Sequence, residues 1–179
     1  MSLAYRPAEP PDIVFVVSSW LSSFRGAHAA GLINMADWPQ VMTPQIQQVL
    51  NRPGCQTFVA YAPNERDHIS DLFGWMACEP DNDVPLVHFC YVKRAYRKMG
   101  IARGLMATAG IDPYEPYAYT CKTATLNSLR QKMPFARWSP LTARYDKAQT
   151  NGAREHGESE SSEETRPGRP PGVPNRGRR

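Results

Sequence analysis

Five basic residues crowd around one glycine in the middle of this 179-residue chain: Lys93, Arg94, Arg97, Lys98 and Arg103 flank Gly100. Just before them runs the apolar segment Leu86–Val92 (L-V-H-F-C-Y-V). Just after them Ile101, Leu105, Met106 and Ala109 recur at helical spacing. A strand that feeds a short loop and then a helix leaves the first helical amides without internal partners, with the helix dipole behind them. Such a junction is suited to a phosphate or diphosphate. Gly100 and the small Ala102 let an anion come close to the backbone, and Arg97, Lys98 and Arg103 supply countercharge. The plainer alternative is a solvated basic loop in front of an ordinary helix.

Other reactive residue types are less productively placed. Gly26-Ala27-His28-Ala29-Ala30-Gly31 has the gap of a nucleoside-triphosphate loop, but Leu32 and Ile33 follow where Lys and Ser or Thr are required, so that chemistry is excluded. His28 has no Cys, His or carboxylate at chelating spacing, and no metal site is expected. Cys55, Cys78, Cys90 and Cys121 are widely and unevenly spaced with no C-x-x-C pair, which excludes a zinc knuckle and a thioredoxin-type motif. They read as buried thiols of a reducing compartment.

The elements that must position the junction follow from periodicity and breakers. Leu3–Arg6 reads as a short strand. Pro10-Pro11-Asp12 then introduces a helix over Ile13–Phe24. A connection over Gly26–Gln40 leads to Thr43, a helix-capping residue type with Pro44 just inside, and to a second helix ending near Leu50. Gln56–Ala62 and Ile69–Cys78 read as antiparallel strands joined by a turn, and Leu86–Val92 as the next strand. After the basic loop come a helix from Ile101 to Gly110, a strand over Tyr117–Cys121, a helix over Ala124–Met133 and a last strand over Trp138–Tyr145. The fold class is α/β, with a mixed, mostly antiparallel central sheet flanked by helices.

Charge and composition divide the chain in two. From Asn151 onward Val173 is the only sizeable apolar side chain, so the segment cannot offset its ordering entropy. Residues 149–179 are expected to form a disordered, charge-blocked tail, and residues 1–148 a folded domain. Six arginines against five glutamates leave that tail at +1 of the overall +4, so the basic character that matters is local. Met1–Pro11 has no leader-like pattern and no run of 18 apolar residues occurs, which makes the cytoplasm the expected location and a membrane partner unexpected.

At the junction the sequence resembles the GNAT superfamily of acyl-CoA-dependent N-acetyltransferases. That family's diphosphate loop has the form [R/Q]-x-x-G-x-[G/A], which Arg97-Lys98-Met99-Gly100-Ile101-Ala102 satisfies. The strand before it, the helix after it and the flanking elements fit the same family over about residues 1–145. The resemblance implies acetyl-CoA as co-substrate. Tyr91, Val92, Lys93, Arg97, Lys98, Met99, Gly100, Ile101, Ala102 and Arg103 would hold it, with pantetheine bonded to backbone near Tyr91 and Lys93. It also implies a strand bulge near Cys90 that aims amides at the thioester oxygen, and direct attack by an amine acceptor.

The family's acidic base falls on this strand four residues before Val92, where this chain has His88. An imidazole there could take the proton directly or through water, or could equally be a packed residue of the sheet. The family pattern N-x-x-A-x-x-x-Y, counted back from Pro134-Phe135, puts Thr123 and Arg130 at the Asn and Tyr positions. Tyr119 and Tyr145 remain as acids, and Tyr145 is the candidate carried forward, although a packed strand aromatic is its plainer role. Cys121 lacks a neighbouring His to make it a nucleophile. The loop between the first two helices would form the acceptor rim, with His28, Met35 and Trp38 lining it.

Three functions fit these features: an amine acetyltransferase, a catalytically degenerate scaffold of the same fold, and an accessory protein binding nucleic acid or protein. In the last, the basic loop and tail arginines would contact phosphates, with Tyr91 and Tyr96 as stacking residues. Coenzyme A diphosphate explains the glycine at the turn without further assumption, so nucleic acid is not favoured. No motif in the sequence specifies the amine acceptor or an oligomeric state.

Overall fold

The structure, a computed structural model, describes residues 3–24, 33–63 and 71–140. The chain divides into units 1–141 and 142–179, and the described residues all lie in the first. His28, Tyr145 and the expected tail lie outside the described residues.

The elements, in chain order, are β1 (Ala4–Pro7), α1 (Asp12–Phe24), α2 (Trp38–Leu50), β2 (Gln56–Ala62), β3 (Asp71–Glu79), β4 (Leu86–Val92), α3 (Ile101–Thr108), β5 (Tyr117–Tyr119), α4 (Ala124–Leu129) and β6 (Ala136–Trp138). One six-stranded sheet has the order β1-β2-β3-β4-β5-β6. The first three pairings are antiparallel, and β4–β5 and β5–β6 are parallel. Parallel neighbours need a crossover, and the helical spacing after Gly100 and after Thr123 supplies the two crossover helices, α3 and α4. This is the mixed sheet flanked by helices that the periodicity predicts.

Strand alternation gives the sheet two apolar faces, each covered by helix. On one, Ile101 and Leu105 of α3 pack against Phe58, Phe73, Met76 and Cys78. On the other, Val16 and Trp20 of α1 and Ile46 of α2 pack against Val59, Trp75, Ala77 and Phe89. The ring of Trp20 lies 5.0 Å from that of Phe89, and Trp75 lies 5.6 Å from Phe89, so α1 is seated on β3 and β4 by stacked aromatics. Trp75 Nε1 also donates to Ser19 Oγ at 2.7 Å, which satisfies a buried indole N–H.

Strand β5 ends at Tyr119 and helix α4 at Leu129, short of the expected Cys121 and Met133, and two further boundaries differ for identifiable reasons. Helix α2 begins at Trp38, with Asp37 at the N-cap position making no side-chain capping bond, and carries Pro44 in its interior, whereas the sequence points to Thr43 as cap. The reason is tertiary. Trp38 is fully buried and donates from Nε1 to Leu21 O at 3.1 Å, and Met42 is buried below it, which outweighs the backbone bond that Pro44 forfeits. Among the described residues the final strand runs over Ala136–Trp138, ahead of Pro140, which cannot donate within a ladder, and residues 141–145 of the expected strand lie outside the described residues.

Gly74 of β3 lies hard against β4: a Cβ there would stand 2.5 Å from the carbonyl oxygen of Tyr91. The obstructing atom is backbone and cannot swing aside. Gly74→Ala is therefore expected to lower stability by about 2 kcal/mol. The measurement is the urea midpoint; a midpoint matching the wild type at equal slope would contradict the close approach.

Candidate functional site

The sheet opens between β4 and β5. The two strands pair only at Leu86↔Ala118 and Val87↔Tyr119, and the Thr120 N–H adds a last bond to Val87 O at 3.1 Å. Strand β4 continues to Val92 while β5 stops at Tyr119, so the strands part at Thr120. Lys93 N donates to Phe73 O at 2.8 Å. Antiparallel alternation then turns the backbone groups of Tyr91 towards β3 and those of Cys90 and Val92 towards the gap. The amides of Tyr91 and Lys93, expected to meet pantetheine, are thus committed to the sheet; Cys90 and Val92 present the open edge. Arg97 Nε reaches back to Val92 O at 3.2 Å and covers part of it.

The bulge in β4 lies at His88, two residues before Cys90. Ala77 pairs with Phe89 and Cys78 with Val87, which leaves His88 as the extra residue. Cys90 itself is solvent-exposed yet enclosed by surrounding protein, so its thiol is pushed up to about 12 and stays protonated.

At the end of β4 the chain makes a single 3-10 turn over Arg94–Tyr96, anchored by Tyr96, whose ring lies 4.5 Å from that of Phe73. Lys98 then adopts φ 69° and Gly100 φ 80°, both left-handed. Gly100 caps α3 with no side-chain hydrogen bond, and a Cβ placed on it would meet nothing within 4 Å. Open space therefore faces the cap, and the φ value is what favours glycine. The amides of Ile101, Ala102 and Arg103 precede the first intrahelical bond, from Gly104 N to Gly100 O at 3.0 Å. Arg94, Arg97, Lys98, Met99, Ala102 and Arg103 are exposed around them, while Ile101 is buried and fixes the helix to the sheet. Lys93 is drawn aside, with Nζ 5.1 Å from the Phe15 ring. This arrangement of open amides, a glycine cap and mobile-length cations fits a diphosphate.

His88 sits on the α1/α2 side of the opening, with a side chain 0% exposed. Its Nε2 is 3.0 Å from Glu79 Oε1, at the end of β3. Glu79 in turn accepts from Arg52 Nε at 2.7 Å and from Asn82 Nδ2 at 2.9 Å. Burial alone would raise the Glu79 carboxyl, but the bonds from Arg52 and Asn82 and the neighbouring His88 outweigh it and hold the group below its usual range. On the other side of the ring, Thr120 Oγ1 lies 3.4 Å from His88 Nδ1. Burial closes the direct route by which an acceptor would touch His88.

Some expected partners are not brought together. Trp38 belongs to the helix–helix core instead of an acceptor rim, and Met35 is half exposed beside it. Thr123, found at the family's Asn position, caps α4 by accepting from Leu126 N at 3.1 Å. Burial raises the Cys121 thiol, which leaves it no thiolate character. Among the described residues no group of three His, Cys, Asp or Glu could hold a metal, and no helix is long and apolar enough to cross a membrane. Sequence reasoning missed Arg52, Glu79 and Thr120. The available signal was a lone carboxylate closing an otherwise apolar strand run, which reads as part of the following turn until β4 is laid beside it.

The model of the acetyltransferase (GNAT) family matches residues 17–109, just over half of the chain. A putative acetyl transferase from Pyrococcus furiosus is similar in fold, with a TM-score of 0.51 at 14% identity over 93% of this chain and 99% of that one. A GNAT-family acetyltransferase from Staphylococcus aureus aligns at 15% identity and TM-score 0.40, over 60% of this chain and only 63% of its own length. The PaiA N-acetyltransferase of Thermoplasma acidophilum, solved in complex with coenzyme A, aligns at 14% identity and TM-score 0.44, over 84% of this chain and 89% of that one. No curated protein matches the sequence significantly.

The depressed carboxyl of Glu79 has a consequence for stability against pH. Its ordinary value is 4.5, and the folded value is lower. Its stabilising contribution is therefore complete above the ordinary value and is lost as pH falls through the folded one. Glu79→Gln should flatten the acid limb of the stability curve relative to the wild type, measured by urea unfolding from pH 3 to 7; parallel limbs would contradict the pairing.

Proposed function

Since the chain belongs to the acetyltransferase (GNAT) family, we propose that it transfers an acetyl group from acetyl-CoA to an amine acceptor by direct attack within a ternary complex. The observation that carries this reading is the junction of β4 and α3: an open strand edge at Cys90 and Val92 leads straight to three open amides at Ile101–Arg103, capped by left-handed Gly100 and ringed by Arg97, Lys98 and Arg103. The amides and cations bind the diphosphate. Pantetheine lies along the open edge of β4, bonded to backbone at Cys90 and Val92, which directs the thioester towards the point where β4 and β5 part.

Each group of the chain then has a defined task. Binding in the opening holds amine and thioester together and removes the entropic barrier of their encounter. The Cys90 N–H, fixed in the sheet, stabilises charge that develops on the thioester oxygen. The amine nitrogen forms a bond to the acetyl carbon as the carbon–sulfur bond breaks. Of the two protons the ammonium gives up, His88 receives one, and the departing sulfur takes up the other. Tyr145 is the group assigned to pass that proton on, giving its own hydrogen to the sulfur and taking the amine's in its place. Cys90 and Cys121, both held protonated, take no covalent part.

The experiment is a thermal shift of the full chain with acetyl-CoA, followed by release of coenzyme A thiol across a panel of amines and lysine peptides. At a hundredfold excess over Kd the ligand adds about 2.7 kcal/mol, which corresponds to a rise of about 5 °C or more for a chain of this size. Arg97→Ala combined with Gly100→Val is expected to abolish the shift. An undiminished shift in that double variant would overturn the loop assignment, and binding without thiol release on any amine would favour a degenerate scaffold.

A further inference from the structure

The bulge at His88 sets three polar side chains in line across the opening, and nothing in the diphosphate site uses them. Glu79 closes β3, His88 is the extra residue of β4, and Thr120 follows β5. Glu79 Oε1 to His88 Nε2 is 3.0 Å, and His88 Nδ1 to Thr120 Oγ1 is 3.4 Å. We infer that Thr120, His88 and Glu79 form a hydroxyl–imidazole–carboxylate relay, in which the Thr120 hydroxyl is the catalytic group that takes the proton from the acceptor ammonium. The inference rests on the acetyl-transfer reading above and adds to it the residue through which a buried imidazole communicates with the acceptor.

The direction of the relay follows from the inventory of donors. Glu79 is held ionised by Arg52 and Asn82, so it can only accept, and His88 must carry its proton on Nε2. The lone pair of Nδ1 is thereby turned towards Thr120. Thr120 Oγ1 has one hydrogen and three neighbours, His88 Nδ1, the His88 carbonyl oxygen at 3.3 Å and Cys121 Sγ at 3.9 Å. It is half-buried, and its own amide makes the last bond between β4 and β5, so its hydroxyl stands where the strands part and His88 lies behind it.

The step balances as follows. The ammonium N–H bond breaks and its proton bonds to Thr120 Oγ1, while the hydrogen of that hydroxyl passes to His88 Nδ1. Thr120 ends as it began, the amine is neutral and nucleophilic, and the imidazolium is stabilised by the Glu79 carboxylate. Once the acetyl group has moved and the sulfur has taken the second proton, His88 returns its proton through Thr120 to water. No oxidant or further reactant is needed. Glu79 is a positioning residue, since it acts only on the ring.

The test uses the full chain in three forms, wild type, Thr120→Val and Thr120→Ser, with acetyl-CoA and a panel comprising a polyamine, an aminoglycoside, a free peptide N-terminus and a lysine peptide. On any amine that turns over, Thr120→Val should lower kcat about a hundredfold with KM for acetyl-CoA unchanged, and Thr120→Ser should restore most of it. Wild-type kcat in Thr120→Val would overturn the relay. Imidazole nitrogen resonances, with His88 assigned by its loss in His88→Gln, provide a readout that needs no turnover. A neutral His88 protonated on Nε2, whose Nδ1 resonance moves in Thr120→Val and not in Thr120→Ser, supports the relay. Protonation on Nδ1, or a resonance indifferent to Thr120→Val, overturns it. A wild type that shows the supporting pattern but acetylates nothing in the panel refutes acetyl transfer, not the arrangement of the three side chains.

Discussion

The hydrogen bond from Thr120 N to Val87 O is the last backbone bond between β4 and β5, and the layout of the site depends on where it falls. Had β5 continued to pair, the backbone groups of Cys90 and Val92 would be consumed by a ladder, and no edge would remain open inside the sheet. Because the pairing ends there, a parallel pair that would ordinarily be closed leaves backbone groups of Cys90 and Val92 unpaired by β5 inside the sheet, where a ligand can meet them. The stacking of Trp20, Trp75 and Phe89 seats α1 on β3 and β4 beside the opening.

The bulge at His88 is the second consequence of the same region. An extra residue in β4 puts the His88 and Phe89 side chains on one face in succession, so that the ring meets Glu79 while Phe89 completes the aromatic stack. A buried imidazole beside a buried carboxylate is costly to assemble without further bonds. Arg52, which follows α2, and Asn82, in the turn after β3, provide them. The polar line therefore draws on the ends of three elements, and its geometry is as fixed as the packing of those elements.

Much of this was legible from residue order. The switch from an apolar strand run to helical spacing across Gly100 marked the strand–loop–helix junction, since a left-handed cap and small neighbouring side chains leave a local signature. The strands and the order of the elements followed from alternation and breakers. What was not legible depended on non-local contact. The start of α2 at Trp38 is set by burial against α1, against the local preference signalled by Thr43 and Pro44. The partner strand decides which of Tyr91, Val92 and Lys93 faces the gap, and a one-residue shift in register reverses the answer. The bulge was expected near Cys90 but lies at His88 for the same reason, and Arg52 and Glu79, 27 residues apart, meet only after β2 and β3 pair.

The loop after β4 carries one further implication. Lys98 is not a glycine, yet it is held at φ 69°, a conformation that costs a side-chain-bearing residue about 1 kcal/mol. Tyr96 against Phe73 and Ile101 in the core pin the chain on both sides of that turn, so the strain is borne when the protein folds. A diphosphate at the site proposed above would find amides already oriented, with little backbone freedom left to freeze. Pre-organisation of this kind lets a modest number of contacts yield a useful affinity, because the ordering entropy has been settled in advance by the fold.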